Sequence, residues 1–149
     1  MVGRFFEEFR VGEEFSTPSR TVTEADIVMF AGLSADYSPH HTDEEFCKTL
    51  PFKGKIAHGL LGVSICSGLV VSLNLWRETG LALLEVNVQF KAPVMIGDTI
   101  TVFLKVADKK ESKKGDKGIV TLDQTVKNQK GEVVAEMRWL MMIRTKKAG

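Results

Sequence analysis

Ala57–Trp76 reads AHGLLGVSICSGLVVSLNLW, and what this segment does decides the fold. Its length and apolar character would suit a membrane span. Ser64, Ser67, Ser72 and Asn74 interrupt it, however, and no cluster of positive residues flanks it closely. A helix without a strong polar face also belongs at the centre of a folded domain. The segment is therefore expected to be a long buried helix, with no membrane partner. Its small residues Gly59, Gly62, Ser64 and Gly68 permit a curved sheet to approach closely.

The second half of the chain supplies such a sheet. Leu84, Val86, Val88, Phe90 and Ala92 alternate with Glu85, Asn87, Gln89 and Lys91, the period of a half-buried strand. Pro93 and Gly97-Asp98 mark a turn, and Ile100, Val102, Leu104 and Val106 repeat the pattern. The charged run DKKESKKGDKG reads as a solvated hairpin tip before a strand with Val120, Leu122 and Val126. Asn128-Gln129-Lys130-Gly131 reads as a turn into a last strand, Val133 to Ile143. No crossover helices separate these strands, so the sheet is antiparallel and the class is α+β.

Upstream, Glu13 to Val22 is an extended candidate, and Thr23-Glu-Ala-Asp26 resembles a capping box opening a helix to about Leu33. Thr42-Asp43-Glu44-Glu45 reads as a second capping box, opening a short helix through Phe46 to Thr49 that Pro51 ends. The sheet is thus expected to wrap around the Ala57–Trp76 helix as a single domain over residues 1–149.

Composition narrows the function. A net charge of +1 provides no field for phosphate backbones, which argues against a nucleic-acid partner. Cys47 and Cys66 form neither a disulfide framework nor a zinc spacing, as in a reduced cytoplasmic protein. Acids are interleaved with the aromatics of MVGRFFEEF, unlike the apolar stretch of a signal peptide.

The chemistry concentrates in SADYSPHH, Ser34 to His41, which holds two of the three histidines. In extended chain Asp36 and His41 would lie up to about 17 Å apart, so a shared target requires a bend. Ser38-Pro39 provides it. A carboxylate and an imidazole so paired can orient and deprotonate one water and later return a proton. Ala57-His58-Gly59 marks the helix N-terminus, where N–H groups lack intrahelical partners and glycine allows close approach. An amide there can hold an oxyanion, a contribution of about 3 kcal/mol at comparable sites. His40, His41, His58 and Asp36 fit no standard zinc pattern, so no metal is expected.

FAGLSADYSPHHTDEEF, with KIAHGLLGVSICSGL and FKAPVMIGDTI downstream, resembles the MaoC-like (R)-specific enoyl-CoA hydratases, which have the hot-dog fold. Asp36, Pro39 and His41 match the family pattern in place; Ser38 stands where Asn is usual and His40 where an aliphatic residue is usual. The resemblance implies that Asp36 and His41 are catalytic, and that Gly59 polarises the thioester carbonyl. It implies site contacts for His58, Ser67 and Ser38. The reaction implied is hydration of a trans-2-enoyl-CoA to an (R)-3-hydroxyacyl-CoA, or its reverse. The substrate is an acyl-CoA or carrier-bound acyl group, no cofactor is needed beyond the coenzyme A of the substrate, and the assembly is a homodimer or larger.

A hot-dog thioesterase is the alternative enzyme; it usually needs an acid on the central helix, and Ala57–Trp76 has none. A non-catalytic acyl-CoA-binding subunit is the alternative without chemistry, but it has no need of Asp36 and His41 in this arrangement.

Overall fold

The computed structural model describes residues 2–148. After a short 3-10 turn at Phe6–Glu8, the elements are β1 (Glu14–Ser16), β2 (Arg20–Thr21), α1 (Glu24–Ser34), α2 (Pro39–Thr42), α3 (Glu44–Cys47), α4 (Gly59–Val71), β3 (Gly80–Phe90), β4 (Thr99–Glu111), β5 (Lys117–Lys127) and β6 (Val133–Arg144). One antiparallel sheet runs in the order β1-β4-β5-β6-β3, with β2 also on β4. Irregular registers near Gly80/Ala82, Leu83/Glu85 and Val106/Asp108 bend it. Its concave face carries Val102, Leu104, Val106, Val120, Leu122, Val126, Trp139 and Ile143, all at 2% exposure or less. Against them α4 buries Leu61, Ile65 and Leu69 with Cys66 and Val70, the spacing of one helical face.

The central helix is 13 residues long, shorter than Ala57–Trp76. Ala57 is tied as extended chain by its N–H to the Val94 carbonyl, and His58 is an extended N-cap. At the other end Ser72 caps, and Asn74 takes a left-handed conformation (φ 53°) that no helix continues through. A helix of this length is about 20 Å long. It covers β4, β5 and β6 but leaves the core side of β3 open. Val86, opposite Trp139, and Phe90, opposite Ala135, remain 39% and 56% exposed.

Two further expectations are corrected. Asp43, not Thr42, caps the short helix by accepting the Phe46 N–H. Thr42 instead closes the preceding turn, its hydroxyl donating to the Tyr37 and Ser38 carbonyls. Glu13–Val22 is broken into β1 and β2 around Pro18, where the Thr17 hydroxyl accepts the Val102 N–H in place of a ladder carbonyl. The β4–β5 tip with Lys113 and Lys114 lies beside the Gly80 end of β3, at the opposite end of the sheet from Phe90. No described helix is long and apolar enough to cross a membrane.

Candidate active site

The site forms where α1 ends, α2 turns and α4 begins. Thr23 caps α1 as expected, reciprocally with Asp26. Ala35, in a left-handed conformation (φ 59°), terminates that helix and throws Asp36 out of it. The Ser34 hydroxyl accepts the Asp36 N–H. Asp36 Oδ1 then accepts from both the Ser38 N–H (3.1 Å) and the Ser38 hydroxyl (2.6 Å), which fixes the carboxylate and leaves Oδ2 open. Serine in the usual asparagine position thus keeps the turn. Pro39 occupies the first position of α2, where a missing N–H costs nothing, so the expected bend is one helical turn.

That turn aims His41 inward. Its Nδ1 donates to the Ile56 carbonyl at 2.7 Å, since the oxygen can only accept. The tautomer is set by this bond and Nε2 is left as the acceptor. His58 is buried; its Nε2 donates to the Asp36 carbonyl at 3.0 Å and its ring stacks on His41 at 3.7 Å between centroids, with an interplanar angle of 26°. Asp36, His41 and His58 each bring one polar side-chain atom within 4.8 Å of the others. One water with hydrogen bonds of about 2.8 Å spans such a gap. A single metal ion fits less well, because lone pairs lie in the ring planes and stacked imidazoles direct them side by side. His40 does not join the cluster: it is exposed and meets Phe46 edge-on at 5.4 Å.

The hydrogen bond from the Ser38 hydroxyl, then that from its N–H, holds the Asp36 carboxyl below the usual carboxylate range; His41 and His58 pull the same way. The ionised carboxylate therefore persists to lower pH. Ser38→Ala removes the leading contribution, so the Asp36 value rises and the acidic limb of a pH–rate profile moves to higher pH. An unmoved limb would show that Asp36 ionisation does not govern the rate. Ser38→Asn should leave it near the wild-type position.

Beside the cluster, between α4 and the sheet, lies a cavity of about 490 Å³. His58 and Gly59 form the end of its wall nearest Asp36 and His41, while Gly62, Val63 and Cys66 continue it along the helix. Val126, Val134, Ala135 and Met137 face them from β5 and β6. Gly59 opens α4, so its N–H has no intrahelical carbonyl to meet. A methyl there would come within 2.8 Å of the Phe90 ring. Ser67 does not line this cavity; it sits half-buried farther along α4. Cys66 does, its thiol pushed up to about 12 by burial, which makes it wall rather than nucleophile.

Sequence reasoning placed Asp36, His41, Ser38, His58 and Gly59 here. It missed the His58–His41 stack, the orienting Ile56 carbonyl and the cover supplied by Phe90. Alternation had put Phe90 on the apolar face of its strand, but no local signal points it at Gly59.

The chain matches the family described as MaoC like domain over residues 7–128. It is 35% identical over 145 residues to the (R)-specific enoyl-CoA hydratase of Rhodospirillum rubrum, spanning 96% of this chain and 94% of that one. A solved structure titled as a monoamine oxidase regulatory protein from Archaeoglobus fulgius superposes with a TM-score of 0.91 at 38% identity, covering 98% of this chain and 97% of its own. The MaoC-like dehydratase from Rhodospirillum rubrum superposes with a TM-score of 0.85 at 28% identity, covering 97% and 99%.

Proposed function

The chain belongs to the MaoC-like family, with its hot-dog fold and hydratase/dehydratase activity, and we propose that it adds water across a trans-2-enoyl thioester to give an (R)-3-hydroxyacyl product. The observation that carries this reading is the convergence of Asp36 and His41 beside the open end of α4.

In this mechanism Asp36 Oδ2 and His41 Nε2 hold one water over Cβ. Its oxygen bonds to Cβ as one of the pair takes its proton, and the C=C π electrons move toward the thioester oxygen. The Gly59 N–H holds that enolate oxygen. The proton then passes to Cα on the same face, so H and OH add syn and the dyad returns to its starting state. Dehydration runs the same steps backward. Coenzyme A, or a carrier's pantetheine arm, is part of the substrate.

A panel of trans-2-enoyl-CoA thioesters tests the reading through loss of the conjugated absorbance. Turnover to a 3-hydroxyacyl-CoA of R configuration supports it. Hydrolysis to free coenzyme A with the double bond intact would move the protein to the thioesterase reading.

The exposed side of β3 supports a homodimer. Its outer edge has no strand partner among the described residues, and Leu81, Leu83, Leu84, Val86 and Phe90 are each at least 39% exposed. Such an edge is a template for another strand, and a two-fold axis beside it would pair β3 with its own copy. Light scattering at micromolar concentration should give twice the chain mass, and Val86→Asp should give the single-chain mass. A monomeric wild type would refute the pairing.

A further inference from the structure

Gln124 presents a buried polar group that neither the fold nor the mechanism uses. It lies on the concave face of β5, opposite Leu104 and Met137, and is 2% exposed. Among the described residues, neither its carboxamide oxygen nor its nitrogen meets a hydrogen-bond partner. Trp139, two residues beyond Met137 on the same face of β6, is equally buried and its indole N–H is also unpartnered. Three N–H donors and an acceptor oxygen are therefore carried by diagonal neighbours in an otherwise apolar core. Buried polar groups cost stability when unpaired, so such a pair calls for a polar guest.

The cavity is lined by neighbours of this pair, though by neither Gln124 nor Trp139 itself. Its helix wall runs from Gly59 to Cys66, about 10 Å at 1.5 Å per residue. A Cβ built on Gly62 meets nothing within 4 Å, so this path is open at its middle. Its sheet wall ends at Val126 and Met137, the first residue two places along β5 from Gln124 and the second directly across from it. An acyl chain held at its carbonyl by Gly59 and extended along α4 reaches this region after roughly eight carbons.

We infer that Gln124 and Trp139 recognise a neutral hydroxyl at the far end of a medium-chain acyl group. A hydroxyl can donate to the Gln124 oxygen while accepting from the Trp139 N–H or the Gln124 NH2. An ionised carboxylate suits the pocket less, because among the described residues no Lys or Arg is buried to offset its desolvation. This rests on the acyl-thioester reading above and adds the class of acyl chain.

Calorimetric titration of the intact protein with two saturated acyl-CoAs tests the inference without turnover. Both have about eight carbons, one ending in methyl and the other in hydroxyl. The wild type should bind the hydroxylated chain about tenfold more tightly, because the analogue lacking the hydroxyl leaves both polar groups unpaired. Gln124→Met should abolish or reverse that preference, and Trp139→Phe should reduce it. The ligand-free Gln124→Met protein should also unfold at the same or a higher temperature, since unpaired groups have been removed. Equal or tighter wild-type binding of the methyl-ended chain overturns the assignment. So does a preference that survives Gln124→Met. If neither compound binds, the acyl-thioester reading itself fails as well.

Discussion

Asp36→Asn and His41→Ala should each lower kcat for enoyl-CoA hydration by about a thousandfold, with KM changed far less. Asparagine keeps the acceptor oxygen that the Ser38 N–H and hydroxyl engage, so the turn survives while the carboxylate is lost. Alanine at His41 removes Nε2, the acceptor freed because Nδ1 is committed to Ile56. The two groups act on one water, so the double variant should be little worse than either single one. Steady-state kinetics on the three proteins checks this. Multiplying losses would mean that Asp36 and His41 act on different atoms. Full turnover in either single variant would remove that residue from the chemistry.

Gly59→Ala should cost about a hundredfold in kcat. The new methyl enters space held by the Phe90 ring at 2.8 Å and crowds the approach to the first free amide of α4. Its effect on the transition state follows from displacing the thioester oxygen from that N–H. Phe90→Ala in the same chain relieves the clash with the ring but not the crowding of the amide, so most of the loss should remain. Complete rescue by Phe90→Ala would mean that the loss came from the clash with the ring and not from crowding of the amide. Circular dichroism on both proteins shows that the loss is local, since Gly59 and Phe90 are both exposed.

The parts of this architecture that were readable in advance are those written in local chemistry. The alternation from Leu84 to Ala92 and the Asn128–Gly131 turn match β3 and the β5–β6 hairpin, and Thr23 with Asp26 caps α1. Asp36 and His41 could be paired because Ser38-Pro39 demands a turn, although that turn proved helical. What was illegible depends on segments far apart in the chain. The length of α4 is limited at its start by the bond between Ala57 and Val94, which no pattern inside the apolar run reveals, and at its end by the left-handed Asn74. The shifted cap at Asp43 follows from Thr42 being drawn into the turn that Pro39 begins. His58 was expected at the site from the start of the helix, but nothing local shows that its ring packs against His41, 17 positions earlier. Ser67 was carried over by resemblance alone; it lies one turn beyond Val63 on α4, past the part of the helix that lines the cavity.

These contacts also say why the loop is stiff where it must be. Asp36 is held by Ser38 and through its carbonyl by His58, while His41 is held by Ile56 and stacked on His58. Each reacting group keeps one polar atom tied to the scaffold and one open, so little ordering remains for the substrate to impose.

The most direct measurement is a crystal structure with an (R)-3-hydroxyacyl-CoA bound. The mechanism predicts the C3 hydroxyl within about 3.2 Å of both Asp36 Oδ2 and His41 Nε2, with the thioester oxygen on the Gly59 N–H. A C3 hydroxyl that touches neither side chain, or only one of them, while the thioester oxygen occupies the Gly59 amide would contradict it.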